Sequence, residues 1–229
     1  MNSKDSKRKP HKPLKPPKTY IIYDFMKVTG CIPALLIIRP KIHYLSERSP
    51  KKIKGAMLVS CNHTTFIDPM ILLVVFWRRR LLAVATKDLF DTWLKDFAFN
   101  QMHCIKVDKE NFTLEAYKNI CGALNTGHLV SIYPEGEIHN SNEGLLNFKT
   151  GVVHMARRGN APILPVFIVP KDKWYQRQHV VIGEPIDVRE MLGERPSKEQ
   201  IREVCDYVRQ RELELQQHYY ENCAKNKKG

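Results

Sequence analysis

The sequence predicts an α/β fold: a single domain with a mixed, largely parallel sheet flanked by helices, preceded by a short N-terminal helical segment. Three observations carry this. Short runs rich in Val, Ile and Leu alternate with helical stretches of about ten residues, the pattern of βαβ units. The chain has 229 residues, which suits one large domain, and 43% of them are hydrophobic, enough to bury a core. Polar turns with Gly, Pro and Asp stand where the apolar runs end, and no internal repeat interrupts the series.

The elements follow in order. Residues 1–18 form a basic, Lys- and Pro-rich tail with almost nothing to bury, which predicts disorder with polyproline-like patches. Residues 19–40 are apolar and broken by Gly30 and Pro33, predicting two short helical pieces. The main domain spans 41–222, and 223–229 is a basic C-terminal tail. Lys41–Leu45 alternates like an edge strand, and Met57–Leu73 (MLVSCNHTTFIDPMILL) is a strand, a polar turn and a helix start. Leu81–Ala85 is a strand. Leu89–Phe99 is a helix whose Phe90, Trp93, Leu94 and Phe97 share one side, read most simply as core. Strands follow at His103–Val107, Leu129–Tyr133, Pro162–Val169 and Val180–Ile182. Helices are expected at Thr113–Leu124, from Gly151 through Arg158 with Gly159 as its stop, and from Ser197 to Tyr220 with Ile201, Val204, Val208 and Leu215 inward.

Net charge is the unusual quantity, +13 at pH 7. It calls for an anionic partner: nucleic acid, an anionic membrane surface, or a phosphate-bearing substrate. No nucleic-acid reading motif is present, and Lys and Arg do not cluster with interleaved aromatics on one element. The charge instead gathers in the tail, ahead of the apolar 19–40 segment, which suits either a hairpin packed on the core or a helical membrane-associating segment lying in the plane of an anionic membrane. Phe76-Trp77-Arg78-Arg79-Arg80 also fits a headgroup layer, as does Trp174-Tyr175 among its Lys and Arg neighbours. No run of about 18 apolar residues predicts a spanning helix, and no secretory cleavage pattern follows the start, so the expected location is the cytoplasmic face of a membrane. Six scattered cysteines lack C-x-x-C or zinc spacing, predicting free thiols and no metal site.

Within Met57–Leu73, four residues separate His63 from Asp68 in H-T-T-F-I-D. An imidazole can act as general base near neutral pH, and a carboxylate can fix its tautomer. The same Asp68-Pro69 is also a good helix start, Asp as N-cap and Pro at the first helical position. Lys109 follows another strand and Glu135-Gly136 a third. In open α/β sheets ligands bind beyond the carboxyl ends of the strands, so these groups should meet at one rim.

Taken in order along the chain, these blocks resemble the glycerolipid acyltransferase family, typified by 1-acylglycerol-3-phosphate acyltransferases. N-H-T-T-F-I-D-P (Asn62–Pro69) is similar to its His-x4-Asp motif, I-K-V-D-K (Ile105–Lys109) to its second block, and Y-P-E-G (Tyr133–Gly136) to its Pro-Glu-Gly block. F-K-T-G (Phe148–Gly151) is similar to the family's Phe-Lys-x-Gly, and I-L-P-V (Ile163–Val166) resembles its fourth, proline-containing block. The resemblance implies acyl transfer from acyl-CoA or acyl carrier protein to a lysophospholipid hydroxyl. His63 would be the base and Asp68 its support, with Lys109, Glu135, Gly136 and Lys149 binding the acceptor. No metal and no cofactor is implied beyond the thioester co-substrate. Two departures stand out: Glu137-Ile138 replaces the usual Thr-Arg, and Lys109 stands at an arginine position, losing the planar fork. A different lysolipid or amine acceptor, a hydrolase, and a lipid-binding relative without activity are the alternatives. No G-x-S-x-G motif supports the hydrolase.

Overall fold

The computed structural model describes residues 20–108, 112–139, 144–171, 173 and 175–226. The tail through Lys18, Lys109 and Trp174 lie outside these residues.

Seven strands among the described residues form one sheet: β1 (Lys41–Tyr44), β2 (Met57–Cys61), β3 (Leu81–Thr86), β4 (Ile105–Val107), β5 (Leu129–Ile132), β6 (Ile163–Ile168) and β7 (His179–Ile182). Their order is β1-β7-β6-β2-β5-β3-β4, parallel throughout except between β6 and β7. Burial on both sides explains the continuous apolar character of the middle strands: every residue of β2, β5 and β6 is buried.

The helices divide between the two faces. Helix α2 (Asp68–Val75) links β2 to β3 and α3 (Trp93–Gln101) links β3 to β4, both moving the same way along the sheet. Right-handed crossovers therefore place both on one face. Helices α4 (Leu114–Asn125) and α5 (Gly151–Arg158) return in the other direction and cover the opposite face, where α7 (Lys198–Asn226) joins them. The short α6 (Val188–Met191) packs beside α5. Connections leave β2 and β5, which are neighbours, toward opposite faces. The crevice between their carboxyl ends is thus the switch point of the sheet, where open α/β folds hold ligands.

The N-terminal segment departs from its expectation. It is one continuous helix, α1 (Ile21–Ile38), with Pro33 inside it. By intrinsic propensity Gly30 and Pro33 cost about 1 and 3 kcal/mol in a helix interior. Tertiary contacts at both ends offset this: the Tyr20 hydroxyl meets His128 Nε2 at 2.6 Å, and Gln178 N–H donates to Ile38 O at 3.1 Å. By length and composition α1 can cross a membrane, although no purely apolar run of that length exists in the sequence. Its polar residues Asp24 and Lys27 face the domain, where they meet Arg80 and the Arg79 carbonyl.

Three smaller differences have local causes. Gly159 caps α5 at its expected end, but at φ −80° rather than in the left-handed conformation, which the next residue, Asn160, takes at φ 50°. Gly159 is needed because a Cβ there would lie 2.7 Å from the Leu124 Cβ of α4. Trp93, Leu94 and Phe97 of α3 are exposed rather than core, because none of the described residues lies over that side of the helix. Helix α7 is capped by Ser197, whose Oγ accepts from Gln200 N–H while Gln200 Oε1 accepts from Ser197 N–H, and it runs on through Asn226.

Candidate active site

Strand β2 delivers Asn62 and His63 to the switch point. Asn62 is fully buried and bonds both ways to Ile168, donating to its carbonyl at 2.9 Å and accepting from its N–H at 2.7 Å. This ties the loop to the end of β6. Asp68 is the first residue of α2 rather than its cap, since Ile67 takes the cap position. The carboxylate turns back over the loop. Its Oδ2 accepts from Thr64 N–H (2.6 Å), Thr65 N–H (2.9 Å) and His63 Nδ1 (2.9 Å); its Oδ1 accepts from the Thr65 and Thr64 hydroxyls. The T-T of the motif is thereby explained.

With donors converging on both oxygens, Asp68 acts as acceptor, so the proton shared with His63 belongs on Nδ1. The lone pair of Nε2 is left free for a substrate proton. The His63 ring stacks on Tyr133 (centroids 4.1 Å apart, planes at 20°), which fixes the ring plane from the β5 side.

Strand β5 delivers Tyr133-Pro134-Glu135-Gly136. Glu135 is only 4% exposed. Its Oε1 accepts from the His63 N–H at 3.3 Å and its Oε2 from Leu146 N–H at 2.9 Å, so it joins the His63 loop to the 144–148 segment. Burial pushes its carboxyl above the usual range, against the pull of those two N–H groups. Gly136 sits at φ +79°, and a Cβ there would lie 2.8 Å from Lys149 Cε. The exposed Lys149 side chain thus crosses over Gly136, held there because Lys149 N–H donates to Pro134 O at 2.9 Å. Three residues after Gly136, His139 donates its backbone N–H to His63 O at 2.8 Å. The structure therefore brings together His63, Asp68, Glu135, Gly136 and Lys149. Cys61 is fully buried with its thiol pushed well above the usual range by burial, which removes it as a nucleophile.

Residues of α7 that local sequence pattern does not single out hold this site from behind. Arg209 Nε donates to Leu146 O at 2.8 Å and its Nη2 to Leu145 O at 2.5 Å. Glu212, fully buried, accepts from the Ser60 hydroxyl at 2.5 Å, three residues before His63. Burial and the nearby Glu135 push the Glu212 carboxyl well above the usual range. A sign of it was present: Glu212 falls on the same inward stripe as Val208 and Leu215.

A base with a free Nε2, an exposed cation and a glycine turn on one rim is a set suited to deprotonating a hydroxyl beside an anionic group. The profile of the acyltransferase family matches residues 41–169, more than half of the chain. The chain belongs to the acyltransferase family. This acyltransferase is 27% identical over 168 residues to the 1-acyl-sn-glycerol-3-phosphate acyltransferase of Bacillus subtilis, covering 71% of this chain and 82% of that protein. It is 31% identical over 132 residues to a probable enzyme of the same name from Mycoplasma pneumoniae, covering 54% of this chain but only 47% of the relative. Among solved structures, the acyltransferase PlsC of Thermotoga maritima superposes with a TM-score of 0.58 at 20% identity, over 85% of this chain and 78% of that one. That likeness is one of fold.

Proposed function

We propose that this acyltransferase moves a fatty acyl group from an acyl-CoA or acyl carrier protein thioester to the free hydroxyl of 1-acylglycerol-3-phosphate, giving phosphatidic acid. The observation that carries the reading is the His63 Nδ1–Asp68 Oδ2 contact of 2.9 Å, which leaves Nε2 as the base. Nε2 takes the hydroxyl proton as the oxygen attacks the thioester carbonyl. The tetrahedral intermediate then collapses, the C–S bond breaks, and the imidazolium returns the proton to the leaving thiolate. Asp68 holds the ring and stabilises its charge. Lys149, which crosses the Gly136 turn, meets the acceptor phosphate, Lys109 is assigned the same task from its place in the motif alone, and Glu135 shapes that turn by holding the His63 and Leu146 backbones. No metal or cofactor beyond the thioester is invoked.

The chemistry belongs at a membrane, since the acceptor is a lipid. Helix α1 is fastened to the domain at both ends, so a helix crossing the bilayer would drag the domain with it. We assign α1 to the interfacial plane of the cytoplasmic leaflet instead, outer stripe toward lipid. A lysophospholipid with another headgroup is the second reading, favoured by the exposed Glu137 at the position where the motif it resembles usually has Thr.

Thiol release from acyl-CoA, measured against a panel of lysophospholipids beside His63→Ala, tests the proposal. Acceptor-dependent release that falls by about 10²–10⁴ in His63→Ala, with thermal stability retained, is the expected result. Acceptor-independent release would mean a hydrolase, and activity that survives His63→Ala would sink the assignment of the base.

A further inference from the structure

Helix α3 carries a surface that acyl transfer at His63 leaves unused. It begins at the Thr92 cap, whose Oγ1 accepts from Lys95 N–H, and it buries none of its residues. Trp93, Leu94 and Phe97 are 81%, 60% and 51% exposed. Spaced at i, i+1 and i+4, they stand together on one side of the helix. Single exposed apolar residues need no explanation, but a contiguous group containing two aromatics does.

The sheet register shows which face α3 occupies. Lys106 of β4 pairs with Ala85 of β3, and two residues back Ala83 pairs with Ser131, itself opposite Val59. Paired residues share a face and alternate residues return to it. Val59 lies in the core under α1 and α2. Lys106 forms an ion pair with Asp96 of α3, and its Nζ lies 4.1 Å from the centre of the Phe90 ring, so α3 covers the same face. The right-handed crossover from β3 to β4 requires the same placement.

Helices α1, α2 and α3 therefore form one side of the molecule, and apolar exposure concentrates on it. The outer stripe of α1 carries Ile21, Phe25, Ile32 and Leu36. Between His63 and Asp68, Phe66 and Ile67 point into solvent at the mouth of the site. At the amino-terminal end of the strands a cleft of about 400 Å³ lies where α1 meets the end of α2. Lys27, Arg78, Arg79, Arg80 and His128 line it, with Asp24 the acid among them. Exposed Trp77 stands next to these arginines. Apolar stripe, aromatics and basic rim on one side match the layers of an anionic bilayer surface: acyl chains, interface and phosphates.

We infer that α3 is a second lipid-contacting element, its Trp93, Leu94 and Phe97 entering the interfacial layer of an anionic bilayer beside α1, so that the His63 mouth is seated on the membrane from two sides. This rests on the membrane-surface acyltransferase reading and adds to it a specific second contact. One contact leaves the domain free to pivot about α1; two set the orientation of the rim to the leaflet that holds the acceptor.

The test uses the full chain with phosphatidylcholine vesicles containing phosphatidylglycerol. In a Trp77→Phe/Trp174→Phe background Trp93 is the sole tryptophan, and brominated acyl chains should quench its selectively excited emission. Trp93→Ser/Phe97→Ser should weaken vesicle binding by about tenfold or more, while Tyr207→Ser on the opposite face should leave it unchanged. Activity of the double variant toward a short-chain lysophosphatidate that stays monomeric in water should persist at the wild-type level. Absence of quenching, or undiminished vesicle binding by the double variant, overturns the inference. A wild-type dimer in solution that the double variant dissolves also overturns it, by making the patch an interface between copies. Failure of the wild type to acylate the short-chain acceptor strikes the substrate reading alone, since the binding and quenching arms still decide the role of α3.

Discussion

Helices α1 and α7 lie on opposite faces of the same sheet and use their side chains in opposite ways. Helix α7 turns Val208, Glu212 and Leu215 inward with no exposure, aims Arg209 at the Leu145 and Leu146 carbonyls and gives most of its other charges to solvent. Helix α1 buries only Tyr23, Cys31 and Ile38 and holds Phe25, Leu36 and Ile37 mostly in the open. Burying one such side chain stabilises by about 1.5–3 kcal/mol. Helix α7 collects that term within the fold, and α1 leaves it available to something outside. The difference separates two jobs: α7 holds the site, and the α1–α3 face presents it.

The largest effect expected is at Leu215. Leu215→Ala should cost about 2–5 kcal/mol in urea unfolding, as a cavity in a closed core. Leu36→Ala on α1 should stay within about 0.5 kcal/mol when no lipid is present. Equal losses would mean that the α1 stripe is packed against protein and would erase the contrast.

Arg209→Ala leaves the Leu145 and Leu146 carbonyls without their partner and loosens the segment that carries Lys149. Catalytic efficiency should fall about ten- to a hundredfold through positioning alone, mostly in the KM for the phosphate-bearing acceptor. Arg209→Lys, which keeps one donor, should recover part of it. A loss confined to thermal stability, with KM unmoved, would reduce α7 to scaffolding.

Glu212 offers a finer test through pH. Its folded carboxyl titrates above the unfolded one, so over the interval between the two the folded protein holds a proton that the unfolded chain has released. Stability is then full below the unfolded value and declines as pH rises toward the folded one, by up to about 1.4 kcal/mol per pH unit. Glu135 is shifted in the same direction and adds slope of the same sign. Glu212→Gln should therefore remove a downward contribution to melting temperature as pH rises above the unfolded carboxylate range, leaving the slope more positive, in the direction that the half-buried His43, His103, His128 and His179 already contribute. An unchanged slope would mean that Glu212 does not titrate in that range.

The smallest effect expected on catalysis is at Lys149. Lys149→Ala should raise the acceptor KM by about three- to tenfold, in keeping with one exposed phosphate contact, and leave kcat near the wild-type level. An unmoved KM would take Lys149 out of acceptor binding.

Much of this was legible in the sequence. The alternation of strands and helices depends on local period and turn chemistry, and the seven strands fall within a few residues of their expected positions. His63 and Asp68 were legible for the same reason: a single turn of chain carries both, so the spacing alone lets the carboxylate reach back to the ring. The roles of the two threonines between them emerge once that reach is seen. Trp93, Leu94 and Phe97 were misplaced into the core because periodicity reveals that a helix has an apolar side but is silent on what faces it. The roles of Glu212 and Arg209 were not legible, even with Glu212 on the inward stripe of its helix, because their partners, Ser60 and Leu146, are distant in sequence. Strand order and crossover hand, not local pattern, bring them together. By itself the sequence determined the elements, the imidazole–carboxylate pair and the excess of positive charge, all properties of neighbours along the chain. Only the tertiary structure decided that β2 and β5 adjoin at the switch point, that α7 grips the site from one face and that α1 and α3 turn apolar residues outward on the other, because each of these is a relation between segments that the fold alone brings within contact.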